Sequence, residues 1–142
     1  MAKNNTFLLE IISPQGAIFQ GEVDSVSIPT FQGIITVLPH HIPLFTKLIE
    51  GEVHIKDDGH ETTVVISGGF LEVKRDSTHI LSDYAIRAES IEMAKSEEKK
   101  REAEEKLKQK LSNEDFTIAD KDLKLSILEL KVAQKMRRKQ RM

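Results

Sequence analysis

Glycine and proline are confined to one part of the chain, and this distribution constrains the fold more than any other feature of the sequence. All seven glycines and all four prolines of the 142 residues lie between Pro14 and Gly69. Both residue types mark turns between short strands and are disfavoured in helix interiors. The sequence therefore predicts two domains, an all-β domain over residues 1–87 and a helical domain over residues 88–142.

The first domain contains short runs of β-forming residues at the spacing typical of a sandwich or barrel. Its clearest local pattern is a hairpin, in which Val53 and Ile55 alternate with polar residues and the run 62–66 pairs back after a turn at 57–60. We predict an N-terminal two-layer antiparallel β-sandwich. The predicted strands cover residues 6–12, 23–28, 34–38, 52–56, 62–67, 70–74 and 78–82.

The second domain begins with a highly charged helix. Between residues 92 and 110, 13 of 19 residues are charged, and both signs are present. Ala103, Leu107 and Leu111 follow each other at intervals of four, which places a narrow apolar stripe on one side of a helix. Ser90 is the predicted N-cap.

A second helix is predicted to begin within residues 112–117, because Ser112-x-x-Asp115 and Thr117-x-x-Asp120 both fit the capping-box pattern. Its apolar residues lie mainly on one side, as in a two-stranded helical pair. We therefore predict a C-terminal antiparallel two-helix hairpin. The predicted apolar stripe of the second helix consists of Leu123, Ile127 and Leu130, with Leu128 and Val132 beside them.

Composition excludes several classes of protein. The chain has no cysteine, which excludes disulfide scaffolds, thiol nucleophiles and Cys-ligated metal sites. No apolar run approaches the roughly 20 residues that span a bilayer, so we expect no direct bilayer insertion. Residues 1–6 lack the features of a secretory or transit signal, which predicts a reducing, cytosolic location.

Charge is distributed unevenly along the chain. The net charge of −2 combines an excess of acidic residues up to residue 130 with six basic and no acidic residues in 131–142. A basic end on an otherwise acidic chain favours an acidic partner for that end.

Catalytic patterns are absent from the sequence. It contains no phosphate-binding GxxxxGK[ST], no GxGxxG, no GxSxG and no HExxH. His40 and His41 form the one histidine pair, but no third or fourth metal ligand follows at a suitable spacing. We predict no catalytic residue and no metal site. Pro39 and Pro43 restrict the backbone around His41, so this loop suits recognition better than catalysis.

Three segments carry a resemblance to a known family. The loop Pro-His-His-Ile-Pro-Leu at 39–44, the segment Ile-Ser-Gly-Gly-Phe-Leu-Glu-Val at 66–73 and the charged helical hairpin after Ala-Ile-Arg at 85–87 occur in this order. Together they resemble the epsilon subunit of bacterial F-type ATP synthase over essentially the whole chain. The resemblance implies a non-catalytic rotor subunit that couples proton flow to ATP synthesis.

The resemblance also implies partners for the sandwich. It would bind the gamma subunit and the polar loops of the c-ring, at the cytoplasmic face of the bacterial plasma membrane. The loop at 30–35 would face the c-ring through Phe31, Gln32 and Ile34. His41 would lie toward gamma, together with the bend formed by Gly68, Gly69 and Phe70.

For the hairpin, the resemblance implies regulation. In the family a compact hairpin permits ATP hydrolysis, whereas an extended hairpin blocks it. The extended form would bring the basic end to an acidic region of the catalytic beta subunits. The residues involved would be Lys135, Arg137, Arg138, Lys139 and Arg141.

Many bacterial members bind ATP through a motif [IL]-D-x-x-R-A at the start of the first helix. The matching segment here begins at Ile91, with Glu92 for aspartate, Lys95 for arginine and Ser96 for alanine. Lysine lacks the planar donor fork of arginine. We therefore expect weak or no ATP binding, and no cofactor.

Two alternatives remain open on the sequence. A β-domain with a basic helical tail could be a nucleic-acid-binding or scaffold module, since six positive charges could neutralise phosphates. The other 130 residues carry a net charge of −8, and no basic aromatic face is evident. An enzyme with a metal at His40 and His41 is the third hypothesis, and it requires stoichiometric metal.

Overall fold

The computed structural model describes the backbone of residues 5–141 and the side chains of residues 5–139. The chain divides into two compact units, Met1–Arg87 and Ala88–Met142. The first is a β-sandwich and the second a pair of helices, so the predicted fold class is confirmed. None of the described helices is both long and apolar enough to cross a membrane.

Eight strands build the sandwich. Their lateral order is β2-β1-β7-β6-β5-β3-β4, and β8 pairs with β6 outside this path. The strands are β1 (Phe7–Ser13), β2 (Gly16–Val23), β3 (Ser25–Thr30), β4 (Gly33–Val37), β5 (Leu44–Asp57), β6 (His60–Val73), β7 (Ser77–Leu81) and β8 (Ala85–Arg87).

The two longest strands, β5 and β6, join the layers of the sandwich. Each has 14 residues, and they pair with each other along nearly their whole length. The first half of β6 also pairs with β8, and its second half pairs with β7. The predicted runs 62–67 and 70–74 are therefore one strand, and residues 44–51 belong to β5, which the sequence prediction missed.

Strand β2 was also missed. Residues 16–22 contain two glycines and lack the sustained polar–apolar alternation that indicates a strand. It pairs with β1 as an antiparallel hairpin. All strand pairs are antiparallel except β1 and β7, which run parallel. A parallel pair joins residues distant in sequence, so no local pattern could have indicated it.

The predicted hairpin at residues 52–66 is confirmed. Asp57 pairs with His60, and the two residues between them have positive φ, 51° at Asp58 and 81° at Gly59. These angles are typical of a type I′ turn, whose twist matches that of antiparallel strands. Asp24 strengthens the turn, since its carboxylate accepts a 2.7 Å hydrogen bond from the Asp58 amide.

The sandwich has an aliphatic core. Alternating residues of β1 are buried, as expected for a strand with one face toward the interior. Each fully buried side chain stabilises the fold by about 1.5–3 kcal/mol relative to exposure. The core includes Leu9, Ile11, Val23, Val26, Ile28, Val53, Ile55, Val64, Ile66, Leu71 and Ile80.

Arg87 anchors the last strand of the sandwich. Its Nε donates a 2.9 Å hydrogen bond to the carbonyl of Ile18, and its guanidinium carbon lies 5.3 Å from the centre of the Phe19 ring. Because both partners belong to β2, the end of β8 is held by residues from the opposite end of the domain's sequence. The last residue of the first unit, Arg87, is therefore attached to β2 within that unit.

The second unit contains a 3₁₀ turn at Ala88–Ser90, helix α1 at Met93–Leu107 and helix α2 at Asn113–Arg141. The prediction of Ser90 as N-cap was wrong, since Ser90 lies in the 3₁₀ turn and Glu92 precedes α1 without a side-chain cap. Ser112 does cap α2, because its hydroxyl accepts a 3.2 Å hydrogen bond from the Asp115 amide.

The packed side of α2 differs from the predicted apolar stripe. Ile127 is 44% exposed, so the stripe through Leu123, Ile127 and Leu130 was wrong at its centre. Val132, which the prediction placed beside the stripe, is buried. The other most buried positions of α2 are small or polar residues that were not predicted, namely Ala119, Ser126, Glu129 and Ala133.

Candidate functional site

The loop at residues 38–43 carries the histidine pair and shows no metal-binding geometry. His40 has a φ of 65°, and the ring Nδ1 of His41 lies 2.7 Å from the carbonyl oxygen of Ile42. Within the described part of the chain, no group of three or more histidine and acidic side chains could hold a metal ion. The two histidines therefore lend no geometric support to a metal-dependent enzyme.

The β3–β4 turn projects apolar side chains into solvent. The hydroxyl of Thr30 accepts a hydrogen bond from the Gln32 amide at 3.2 Å and donates one to the Gly33 carbonyl at 2.5 Å. These bonds hold the turn in one conformation. Phe31 is 56% exposed and Ile34 is 78% exposed, so the turn carries a preformed apolar tip.

A second apolar surface crosses the sheet at strands β5, β6 and β7. The rings of Phe45 and Phe70 stack with centroids 5.8 Å apart and planes inclined by 17°. Leu81 is the cross-strand partner of Phe70 and therefore lies on the same face. We call these three residues, each about half exposed or more, the apolar strip.

Polar side chains border the apolar strip. His79 pairs across the sheet with Glu72 on one side and with Glu10 on the other. Glu72 and His79 lie two residues from Phe70 and Leu81 along their strands, so all three polar residues share the face of the strip. The carboxylate of Glu10 lies 3.6 Å from His79 Nδ1. The same carboxylate accepts a 3.5 Å hydrogen bond from the side-chain amide of Gln20. An apolar centre with a polar rim is the usual anatomy of a protein–protein interface.

Phe70 was the one member of the apolar strip named from the sequence. Phe45 was missed because residues 44–51 were not recognised as a strand, and Leu81 was missed because its pairing with β6 was unknown. Residues 44–47 show no polar–apolar alternation, so Phe45 could be placed on the outer face only once the pairing of β5 with β6 was known.

The predicted interaction residues Gly68 and Gly69 shape the backbone beside the strip. Their φ values are +111° and +127°, a region that residues with a side chain rarely adopt. A Cβ on Gly69 would lie 1.9 Å from the carbonyl oxygen of Leu81. Gly68 is itself buried, and Gly69 is partly exposed.

The four residues of the ATP-like segment do not converge. Lys95 Nζ lies 3.2 Å from the carboxylate of Glu92, and both side chains are largely exposed. Ser96, by contrast, is buried and donates a 2.8 Å hydrogen bond to Glu129. Ile91 is half-buried just before α1. The side chains of Glu92 and Lys95 thus face solvent, whereas the side chain of Ser96 is buried.

The basic end lies on the last part of helix α2. The side chains of four predicted residues, Lys135, Arg137, Arg138 and Lys139, are exposed near the end of α2. The Arg141 side chain lies outside the described residues. No acidic residue follows Glu129 in the sequence, so this end of the helix carries a positive field.

The two units present different kinds of exposed surface. The described residues form a β-sandwich with two exposed apolar surfaces and a helical pair with a basic end. Such exposed apolar and charged surfaces are typical of a protein that binds partners.

Comparison with known proteins gives the family. The family model described as the ATP synthase delta/epsilon chain, beta-sandwich domain, matches residues 6–88. An ATP synthase epsilon chain of Caldanaerobacter subterraneus subsp. tengcongensis is 40% identical over 133 residues, covering 93% of this chain and 96% of that one. One from Bacillus mycoides is 35% identical over 128 residues, covering 90% and 96%. The chain belongs to the ATP synthase epsilon chain family, and it is a subunit of that complex without catalytic activity of its own.

Solved structures share the fold. A chain of the Euglena gracilis mitochondrial ATP synthase, in an OSCP/F1/c-ring structure, matches with a TM-score of 0.73 and 24% identity, covering 94% of this chain and 84% of that one. A chain of the Tetrahymena thermophila mitochondrial ATP synthase central stalk and c-ring matches with a TM-score of 0.59 and 10% identity, covering 93% and 99%. At these identities the match concerns the fold.

Proposed function

We propose that this chain is a central-stalk subunit of an F-type ATP synthase, in which the sandwich binds the gamma subunit through the apolar strip. The observation that carries this proposal is the stacked pair Phe45 and Phe70, two large rings on a rigid sheet with a polar rim. Phenylalanine is among the aromatic residues that are enriched in the cores of protein–protein interfaces. The family assignment supports a partner within the ATP synthase complex.

The β3–β4 tip is proposed to face the polar loops of the c-ring. Phe31, Gln32 and Ile34 lie on a turn that Thr30 holds in place, so they can enter a partner surface without losing conformational freedom. His41 is proposed to lie toward gamma. The protein would then sit peripherally at the cytoplasmic face of the bacterial plasma membrane.

The helical unit is proposed to inhibit ATP hydrolysis. Its basic end, with Lys135, Arg137, Arg138 and Lys139 exposed, fits an acidic region of the catalytic beta subunits. A helical pair with small buried side chains is held by a modest free energy, so a partner can displace it. Regulation would thus reside in residues 88–142 and attachment in residues 1–87.

A chain that ends at Arg87 is expected to bind the gamma subunit as tightly as the full chain and to lose inhibition of ATP hydrolysis. The sandwich has its own core, and Arg87 is anchored within it. The measurement is the ATPase rate of the assembled catalytic head and gamma subunit with each chain, together with pull-down of gamma.

The matched control is a full-length chain in which four basic residues are replaced by glutamate. They are Lys135, Arg137, Arg138 and Lys139. This variant keeps the helices but reverses the charge, so inhibition should weaken while gamma binding is unchanged. Full inhibition by the chain ending at Arg87 would refute the assignment of regulation to the helical unit.

ATP is proposed to be at most a weak regulatory ligand of this chain, with no other cofactor. The Lys95 ammonium is already paired with Glu92, and Ser96 is turned inward toward Glu129. Calorimetric titration of the full chain should therefore show no binding at micromolar ATP. The variant Glu92→Asp with Lys95→Arg is expected to bind more tightly, because arginine supplies a planar donor fork. A dissociation constant of about 10 µM or lower for the native chain, modulated by magnesium, would contradict this proposal.

A further inference from the structure

The two helices of the second unit pack through a seam of small side chains. Ser96 and Ala103 are seven residues apart on α1, and Ala119, Ser126 and Ala133 follow the same spacing on α2. All five are at most 5% exposed. A repeat of seven keeps residues on one side of a helix that packs along a partner. We call these five residues the interhelical seam.

One long polar side chain enters the interhelical seam. Glu129 is 3% exposed, and its Oε2 accepts a 2.8 Å hydrogen bond from the hydroxyl of Ser96, which is also 3% exposed. The two residues are 33 positions apart, and the bond joins α1 to α2. Removing a carboxyl group from water is unfavourable unless such a bond compensates.

We propose that the Ser96–Glu129 hydrogen bond is a polar latch that sets the balance between a closed and an open helical pair. In the closed pair the bond satisfies the buried oxygen of Glu129. When the helices separate, the carboxyl group regains water. The closed state is therefore specific in register yet less stable than an apolar seam of the same shape would make it.

The test measures the separation of the helices in the full chain. Because the chain has no cysteine, the substitutions Glu97→Cys and Gln134→Cys provide unique sites for spin labels on α1 and α2. Both positions are exposed. Pulsed electron paramagnetic resonance then measures the distance between the two spin labels. The ratio of short to long distances is the ratio of closed to open helical pairs.

In this background Ser96→Ala leaves the Glu129 oxygen buried without its donor. The ratio of closed to open pairs is expected to fall about five- to a hundredfold, the range for an unsatisfied buried acceptor. Adding Glu129→Leu removes the orphaned acceptor as well. The double variant is expected to return to the native ratio or exceed it, because both partners are then apolar.

Ser126→Ala is the matched control. Ser126 is a buried serine of the same seam, but its hydroxyl donates to the Asp122 carbonyl of its own helix at 2.9 Å. This variant should keep the native ratio. The latch is refuted if Ser96→Ala leaves the ratio unchanged, if the double variant stays as open as Ser96→Ala, or if Ser126→Ala opens the pair equally.

The latch concerns the regulation assigned to the helices, and its consequence for ATP hydrolysis rests on the proposed function. The distance measurement itself uses the chain alone and involves no ATPase assay. If the chain ending at Arg87 still inhibits, the proposed function fails while the distances can still support the latch. If inhibition behaves as proposed but the distances do not change, the latch fails alone.

Discussion

Replacing Gly69 with alanine is expected to destabilise the sandwich by about 4 kcal/mol or more, a large share of the 5–15 kcal/mol typical of a domain. Alanine at the Gly69 φ of +127° carries a backbone penalty of about 1–3 kcal/mol. In addition, its Cβ would lie 1.9 Å from the Leu81 carbonyl oxygen, so strand β7 must move away from β6. Urea unfolding of both proteins, followed by circular dichroism, gives the difference in the free energy of unfolding.

Gly16→Ala separates the two causes. Gly16 has nearly the same φ, +122°, but nothing lies within 4 Å of the position of its Cβ. This variant should therefore show the backbone penalty alone, about 1–3 kcal/mol. If Gly69→Ala were no more destabilised than Gly16→Ala, the close approach of β6 to the end of β7 would not be what requires glycine.

The second large effect is expected at the apolar strip. Replacing Phe45 and Phe70 together with serine should weaken binding of the gamma subunit on the order of 100- to 1000-fold, since aromatic anchors contribute about 2 kcal/mol each or more. The free energy of unfolding should change little, because both rings are about half exposed or more. The substitution removes mainly the stacking of one ring on the other. Surface plasmon resonance on immobilised gamma measures the affinity, and thermal unfolding checks the fold.

Phe31→Ser is the matched control for the strip. Phe31 is 56% exposed, comparable to Phe45 and Phe70, but it lies on the β3–β4 tip. It should leave gamma binding unchanged and weaken attachment to the c-ring. Equal loss of gamma binding in both variants would indicate that any exposed phenylalanine matters, and unchanged binding of the Phe45 and Phe70 variant would exclude the strip as the gamma site.

Much of the fold could be predicted because its signals are local. The restriction of glycine and proline to residues 14–69 separates strands from helices through backbone conformation alone. The Asp58–Gly59 turn was predictable for the same reason, since its positive φ angles need particular residue types at two adjacent positions. Ser112 likewise caps α2 through an amide only three residues away.

The errors arose where local preference and packing disagree. Residues 44–51 carry no sustained alternation, yet they complete β5 because β6 offers them hydrogen-bond partners along its whole length. Ile127 fits an apolar stripe in the sequence but stays exposed, whereas Glu129 is buried. Close packing of the two helices selects small side chains and one bonded carboxyl group over the larger aliphatic residue.

The division into strands and helices, the main hairpin turn and the family motifs can be recognised from the chain alone, because each depends on residues that are neighbours in sequence. Which distant residues meet depends on the folded structure, as in the parallel pairing of β1 with β7, the stacking of Phe45 on Phe70 and the bond from Ser96 to Glu129. These contacts follow from strand register and helix packing. A shift of one residue in a strand would turn its side chains to the other face, and no local pattern specifies that register alone.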